Sequence, residues 1–446
     1  MYIKTQKFLV LGISKSGYAV AKYILSNGGK CYLFEELSTP KIQTAINELL
    51  ELGGIRVDQK DVDQIIKQID VLVISPGVPI NHPVAVKVKN LNKRIVGELE
   101  FGVLQFAPPI VAITGTNGKT TTATLVESIF NRAGAKALLV GNIGIPISGR
   151  IDDADKNTVC IAEVSSFQLE SVSSFCPHIS CVLNIAPDHL ERHYSMENYI
   201  YLKKRIFKNQ RESEFLILNY DDETVKEFSQ ESKAKSIYVS LKEKVYGGYR
   251  IDKKLYFFDE YIMDEEQLAL KGEHNVFNAL FAISIAKLMD VNNDIIIDAL
   301  KNFKGVRHRM EIVAKKEGVT FYNDSKATNT ASTIVAIENM KEPTILILGG
   351  SEKGEEYIKL FQKIKISSVK HAILTGASRL NMLDCAGKVG YSNITVTPDF
   401  ETAVRIAKII SREGDNVLLS PACASFDCFN GYEERGDKFK SIVEGF

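Results

Sequence analysis

Short, nearly uninterrupted apolar runs recur along the chain, each ending in a turn of small residues that leads into a segment of helical period. The first is "KFLVLG" at Lys7–Gly12, followed by "SGYAVAKYILSNGG", a helix closed by glycines. "KCYLFEE" and "DVLVISPGVP" predict two more strands, the second breaking at Ser75-Pro76-Gly77. After Pro109 a second series runs through "VAITG", "ALLVGNIG", "TVCIAEVSS", "ISCVLNIAPDH" and "EFLILNYDD". From about Asp252 the pattern weakens, and "HNVFNALFAISIAKLMD" then predicts an amphipathic helix. A third series starts near Val306, with strands in "VTFYNDS", "TILILGG", "HAILTG", "NITVT" and "NVLLSPA". Strands alternating with helices imply α/β architecture with parallel sheets, buried on both faces. No fixed-period repeat interrupts the series.

Composition narrows the function classes. The 446 residues exceed one core, at about 150 residues per domain. Lys+Arg and Asp+Glu are each 55, so no overall positive field exists to hold nucleic acid or an anionic membrane. The basic run "KNLNKR" at Lys89–Arg94 reads as a solvated face. No stretch approaches the roughly 20 apolar residues of a membrane span, and the first residues do not read as a secretory signal. The seven cysteines, without a CxxC pair, predict reduced, mostly buried thiols in a cytoplasmic protein and no structural zinc.

The candidate chemistry starts at "VAITGTNGKTTTATLV", Val111–Val126. A strand, a glycine-bearing turn and a helix make a phosphate cradle. The backbone N–H groups of Gly115, Thr116, Asn117, Gly118, Lys119, Thr120 and Thr121 would wrap a polyphosphate at the helix N-terminus. Lys119 supplies a point charge and Thr120 a hydroxyl for Mg²⁺. The loop is a shortened variant, since Ile113 stands where the common GxxxxGKT pattern has its first glycine. Glu163 ends a buried-type strand and offers Mg²⁺ a hard oxygen ligand at the same edge. His189, in "NIAPDHLERH", would enter the same crevice. In "YIYLKKRIF" the plain reading of Lys203 and Lys204 is an exposed basic stripe. The first turn, "GISKSG", is not GxGxxG, which speaks against a redox dinucleotide but leaves a nucleotide diphosphate. Glu35, ending the second strand, is placed to meet a ribose or base.

These motifs, with "GNIG" (Gly141–Gly144), "EVSSFQLE" (Glu163–Glu170), "HNVFN" (His274–Asn278), "HRME" (His308–Glu311), "NDSKATN" (Asn323–Asn329) and "SPACASFD" (Ser420–Asp427), resemble the Mur ligase family over essentially the whole chain. The last two motifs favour the member that adds D-glutamate. The resemblance implies three domains. Residues 1–98 would be a Rossmann-like UDP-binding domain and 99–305 a central P-loop ATPase-type domain with a mostly parallel sheet. Residues 306–446 would be a Rossmann-like α/β domain that binds the amino acid. It implies a monomeric ligase of cytoplasmic peptidoglycan precursor synthesis, joining D-glutamate to UDP-N-acetylmuramoyl-L-alanine. ATP would turn the carboxylate into an acyl phosphate, with two Mg²⁺ ions.

Residue by residue, the resemblance makes Lys119, Glu163, His189 and Lys203 catalytic, with Thr120 and Glu163 at the first metal and His189 at the second. Lys203, four residues after Tyr199, matches a lysine that the family carries as a carbamate; "KRI" favours it over Lys204. Asn278, Arg309 and Asp324 match ATP contacts. Lys326, Thr328, Lys353, Ser425, Phe426 and Tyr432 match positions around the D-glutamate and the reacting centre; Tyr432 stands where the family has phenylalanine. Ser14, Ser16, Glu35 and Glu36 would lie near the UDP, although the chain reads Glu35-Glu36-Leu37 for the family's Asp-Thr-Arg. Asn142 and His189 would touch the muramoyl part. Two other classes fit less well. A folylpolyglutamate synthase begins close to its P-loop, whereas about 100 residues precede it here. A P-loop switch would carry base-reading or Walker motifs that are missing.

Overall fold

The computed structural model describes residues 2–351 and 356–446. It divides into two compact units, Met1–Phe303 and Lys304–Phe446. Among the described residues the strands form three sheets.

The N-terminal sheet is parallel throughout, in the order Ile55–Arg56, Lys30–Phe34, Lys7–Leu11, Val71–Ile74, Arg94–Gly97. Side chains alternate across it: Phe8 and Val10 enter one core, Leu9 and Leu11 the other. That two-sided burial is why its strands read as continuous apolar runs rather than alternating ones.

The central sheet belongs to the same unit. Its parallel part runs Gly247–Ile251, Lys235–Ser240, Phe215–Asn219, Ile179–Val182, Ile110–Thr114, Thr158–Glu163, Lys136–Gly141. Lys254–Phe257 and Glu260–Asp264 extend it as antiparallel strands. These lie where the apolar pattern weakens. They are short, joined by tight turns and partly exposed, so neither signature of a buried strand is present. The helix Glu273–Leu288 forms as predicted but is not amphipathic. Asn278–Ala286 are buried without a break, because the helix lies between the sheet and the helix Lys119–Arg132. In the second unit the order is Glu311–Lys316, Val319–Asn323, Asn416–Leu419, Thr344–Gly349, Val369–Thr375, Ile394–Val396, parallel except for the first pair. Its first strand went unread because it is only partly buried.

The cysteines are free, five of them buried, with Cys176 half-buried and Cys428 exposed. No described helix is long and apolar enough to cross a membrane.

Two buried acids in the helix Glu98–Val103 tie the first sheet to the second. Glu100 accepts from the backbone and hydroxyl groups of both Ser173 and Ser174, at 2.5–3.1 Å. Burial alone would raise its pKa, but these four donors outweigh burial and hold it below the usual carboxylate range. Glu98 accepts from Ser148 N and Oγ at 2.9 and 2.5 Å, while its Oε2 is buried without a partner. Here burial wins, and the pKa is raised.

The two acids therefore act oppositely with pH. Glu100 adds stability above its unfolded-state pKa that is lost on acidification. Glu98 adds stability at low pH that is lost as pH rises through its folded value. In urea unfolding of the full chain at pH 8, Glu100→Gln is expected to cost about 1–3 kcal/mol. Glu98→Gln, which keeps the acceptor for Ser148, is expected to leave the protein more stable than the unsubstituted chain.

Candidate active site

Three loops leave the central sheet at one edge, after Ile110–Thr114 and after the strands on either side of it. The chain changes direction across the sheet here, and such switch points open a crevice at the strands' C-terminal ends. The first loop turns through Gly115 at φ 151° and Gly118 at φ 85°, and the helix Lys119–Arg132 starts at once. Gly118 has a second constraint: a Cβ there would lie 2.6 Å from Asn278 Oδ1. Asn278, fixed on the buried helix, also accepts from Thr122 Oγ1 at 3.2 Å.

The loop after Ile179–Val182 buttresses the cradle. Thr116 N donates to Asn184 O and Asn117 N to Asn184 Oδ1, at 3.0 and 2.8 Å. The Asn184 amide returns a bond to Asn117 O at 3.1 Å. Thr116 Oγ1 accepts from Ala186 N at 3.0 Å. Three residues beyond Ala186 comes His189, in the left-handed region at φ 53°, its ring 4.8 Å from that of Phe167 and 3.6 Å from Asp188 and Glu191. Left-handed backbone is uncommon for a residue with a side chain, so this conformation is imposed by its surroundings.

Glu163 is 1% exposed. Its Oε2 accepts from Thr120 Oγ1 at 2.7 Å and its Oε1 from Asn142 Nδ2 at 2.8 Å. Lys119 Nζ donates to Gly115 O and Thr116 O at 2.7 and 2.8 Å. Lys203 is no surface stripe. At 2% exposure it reaches Thr114 Oγ1 at 3.0 Å and the same Gly115 carbonyl at 2.9 Å. Burial first, and the Lys119 charge second, push its ammonium well below the usual lysine range, against the pull of Asp188 and Glu163. Lys204 is the solvent-side neighbour, paired with Glu231 at 2.5 Å. The helix Met196–Lys204 ends there, which separates the two lysines by environment.

The first sheet contributes a second glycine turn. A Cβ on Gly17 would lie 1.8 Å from Gly12 O, so that approach requires glycine. Ser14 is exposed and Ser16 half-buried on this turn. The Glu35 carboxylate accepts from Ile13 N and Leu37 N at 2.6 and 2.9 Å, which makes it a brace for the turn. Glu36 faces His82 at 3.3 Å.

In the second unit Asp324 is fully buried, accepting from Met310 N and Ser420 Oγ at 3.2 and 2.8 Å, with Arg309 3.8 Å away. Burial raises its pKa to about 6 against the opposing Arg309 charge. His308 and Met310, flanking Arg309, are both left-handed, at φ 61° and 46°. Lys326 Nζ donates to Tyr432 Oη at 3.2 Å, and Thr328 N to Lys326 O at 2.9 Å. Ser425 is buried and Phe426 exposed. Lys353 lies outside the described residues. Sequence reading passed over Thr114, Asn184 and Asp188, all at or beyond the C-terminal ends of strands facing the cradle; that shared edge was the available signal.

Three domain patterns match in order: the Mur ligase MurD-like N-terminal domain at residues 6–97, the Mur ligase middle domain at 113–286, and the Mur ligase glutamate ligase domain at 308–423. A UDP-N-acetylmuramoylalanine--D-glutamate ligase of Clostridioides difficile (strain 630) is 40% identical over 448 residues, 99% of each chain. The chain belongs to the Mur ligase family. The ligase of the same name from Caldanaerobacter subterraneus is also 40% identical, again over 99% of each chain. Solved Mur ligases share the fold at lower identity. The UDP-N-acetylmuramate-alanine ligase MurC of Thermotoga maritima matches at 18% identity and TM-score 0.61, covering 99% of each chain. A MurF ligase of the same organism in complex with ADP matches at 14% and 0.62, covering 100% of this chain and 99% of that one.

Alanine at position 118 would strain a left-handed turn and press on Asn278. Gly118→Ala is expected to fold normally by circular dichroism yet raise the KM for ATP at least about tenfold, about 1.4 kcal/mol.

Proposed function

We propose that this chain is an ATP-dependent ligase that joins D-glutamate to UDP-N-acetylmuramoyl-L-alanine, acting as a monomer in cytoplasmic peptidoglycan precursor synthesis. The observation that carries this reading is 40% identity over 99% of the chain to relatives bearing that name. The crevice around Gly115–Thr121 supports it chemically. A carboxylate is a poor acyl donor in water, so one of its oxygens attacks the γ-phosphorus of ATP and ADP leaves. The amine of D-glutamate then forms the C–N bond, phosphate departs from the acyl carbon, and one proton is released. Little covalent work falls to the protein, whose part is positioning and neutralising charge.

The loop amides would hold the polyphosphate and Lys119 would turn its ammonium from the loop carbonyls to the phosphate oxygens. The donors present suit magnesium. The Thr120 hydroxyl and the Glu163 carboxylate are hard oxygens. When bound, magnesium draws charge off the transferring phosphoryl group. We assign one ion to Thr120 and Glu163 and a second to His189 with carbamylated Lys203.

The burial of Lys203 supports the carbamate. Burial and the Lys119 charge favour the neutral Lys203 amine, the form that adds CO₂: its nitrogen bonds the carbon, one N–H proton leaves, and a neutral amine becomes an anionic carbamate. Repulsion between Lys203 and Lys119 becomes attraction. Asn278, Arg309 and Asp324 are assigned to ATP, and Lys326, Thr328, Lys353, Ser425, Phe426 and Tyr432 to D-glutamate and the reacting centre. Asn142 and His189 are assigned to the muramoyl part, and Ser14, Ser16 and Glu35 to the UDP end, Glu35 by shaping its turn.

Phosphate release with ATP, Mg²⁺ and UDP-N-acetylmuramoyl-L-alanine should require D-glutamate; turnover with another amino acid but not this one would sink the assignment. Lys119→Ala and Glu163→Ala are each expected to lower kcat about 10³-fold, the scale for losing one charge-stabilising group. Lys203→Ala should lose activity and regain part of it with added acetate, whereas Lys204→Ala should be near normal. Absence of rescue counts against the carbamate.

A further inference from the structure

A cleft of about 480 Å³ lies away from the phosphate loop, between the edge of the first sheet and the central sheet, and shares no lining residue with that loop or with the Gly12–Gly17 turn. One wall is the helix Pro83–Asn90 and the start of the strand Arg94–Gly97; the other is the Glu170–Ser173 turn and Arg205. Its volume falls in the range of small-molecule sites.

The lining pairs two chemistries. Val86, Ile95 and Val172 are apolar, and Val86 is 42% exposed, an uncovered surface on one wall. Lys89, Lys93 and Arg205 are cationic, and none of them has a carboxylate in ion-pair range among the described residues. Lys93 donates to the carbonyls of Lys67 and Ile69, and Arg205 to those of Glu170 and Val172, so backbone dipoles hold these charges without neutralising them. Arg205 Nε is buried with no partner, a donor whose desolvation nothing in the protein offsets. The single carboxylate on the wall, Glu170, is committed to Arg192 at 2.7 Å.

We propose that this cleft is an effector site for an amphipathic anion, a phosphate or carboxylate carried on an apolar body. The anion would sit among Lys89, Lys93 and Arg205 and the body against Val86, Ile95 and Val172. The site is coupled to the substrate end of the first sheet by a short path. Arg205 holds the backbone of Glu170, Glu170 binds Arg192, and Arg192 Nη2 donates to Val78 O at 3.2 Å, beside the Ser75–Gly77 break. A ligand that stiffens the Glu170–Ser173 turn therefore acts on the first sheet's nucleotide-facing loops without entering the catalytic crevice.

The test is calorimetric titration of the full chain with hexyl phosphate, with saturating ADP and Mg²⁺ present to block the phosphate loop. Saturable binding is expected. Lys89→Glu, at an exposed position outside the machinery, should weaken it at least tenfold with ligase turnover unchanged, and Val86→Trp should abolish it by filling the cleft. Inorganic phosphate should bind at least tenfold more weakly. Equal binding of inorganic phosphate would overturn the amphipathic class, leaving attraction of any anion. No binding, or binding unchanged in both variants, would overturn the site. The readout is binding, so it stands apart from whether D-glutamate is the substrate.

Discussion

Two lysine ammonium groups converge on one carbonyl oxygen, that of Gly115, and the rest of the site answers to that arrangement. Like charges so close, in a place largely closed to water, repel strongly enough to be costly unless something changes. Lys119 sits at the mouth and is the one a phosphate can reach. Lys203 lies behind it, sealed by Tyr199, whose ring centroid is 5.2 Å from Nζ. Burial and this repulsion both disfavour the inner proton. Two positive charges this close favour an anion beside them. The glycine carbonyl serves as the pivot because the left-handed turns at Gly115 and Gly118 aim it inward.

The same constraint explains how Glu163 is held. A carboxylate buried this deeply needs compensation, and it finds it in neutral donors, Thr120 and Asn142. These neutral donors keep both oxygens ordered.

What could be read in the sequence follows the same division between local and tertiary causes. Strands buried on both faces announce themselves, and so does a glycine turn that must begin a helix, so the strands ending at Thr114 and Glu163 and the Gly115–Gly118 turn are legible. The burial of Lys203 was not, since a helix ending "LKK" looks solvated until a strand end and Tyr199 close over one lysine. The helix Glu273–Leu288 differs in the opposite direction: it reads as amphipathic, but its polar positions Asn278 and Ser284 are buried, Asn278 accepting from Thr122 Oγ1 and Ser284 bonding back to Leu280 O. Glu35 shows a third case. Its place at a strand end was legible, its job of receiving Ile13 N was not, because that partner lies 22 residues away. The antiparallel strands after Asp252 carry apolar runs of only three or four residues, too short to stand out.

Positioning within the first unit rests on carboxylates used as braces. Glu100 fastens the helix after the first sheet to the Ser173–Ser174 turn, Glu98 fastens it to Ser148, and Glu170 with Arg192 reaches back to Val78. A reaction that depends on bringing an acyl carboxylate in line with a phosphorus atom tolerates little play between the loops that hold each end. Apolar packing alone is adaptable and permits sliding, whereas a carboxylate receiving four hydrogen bonds has one geometry. The acids along this seam are therefore best understood as setting distance. Their burial is the structural counterpart of a fixed separation between the Gly12–Gly17 turn and the Gly115–Gly118 turn.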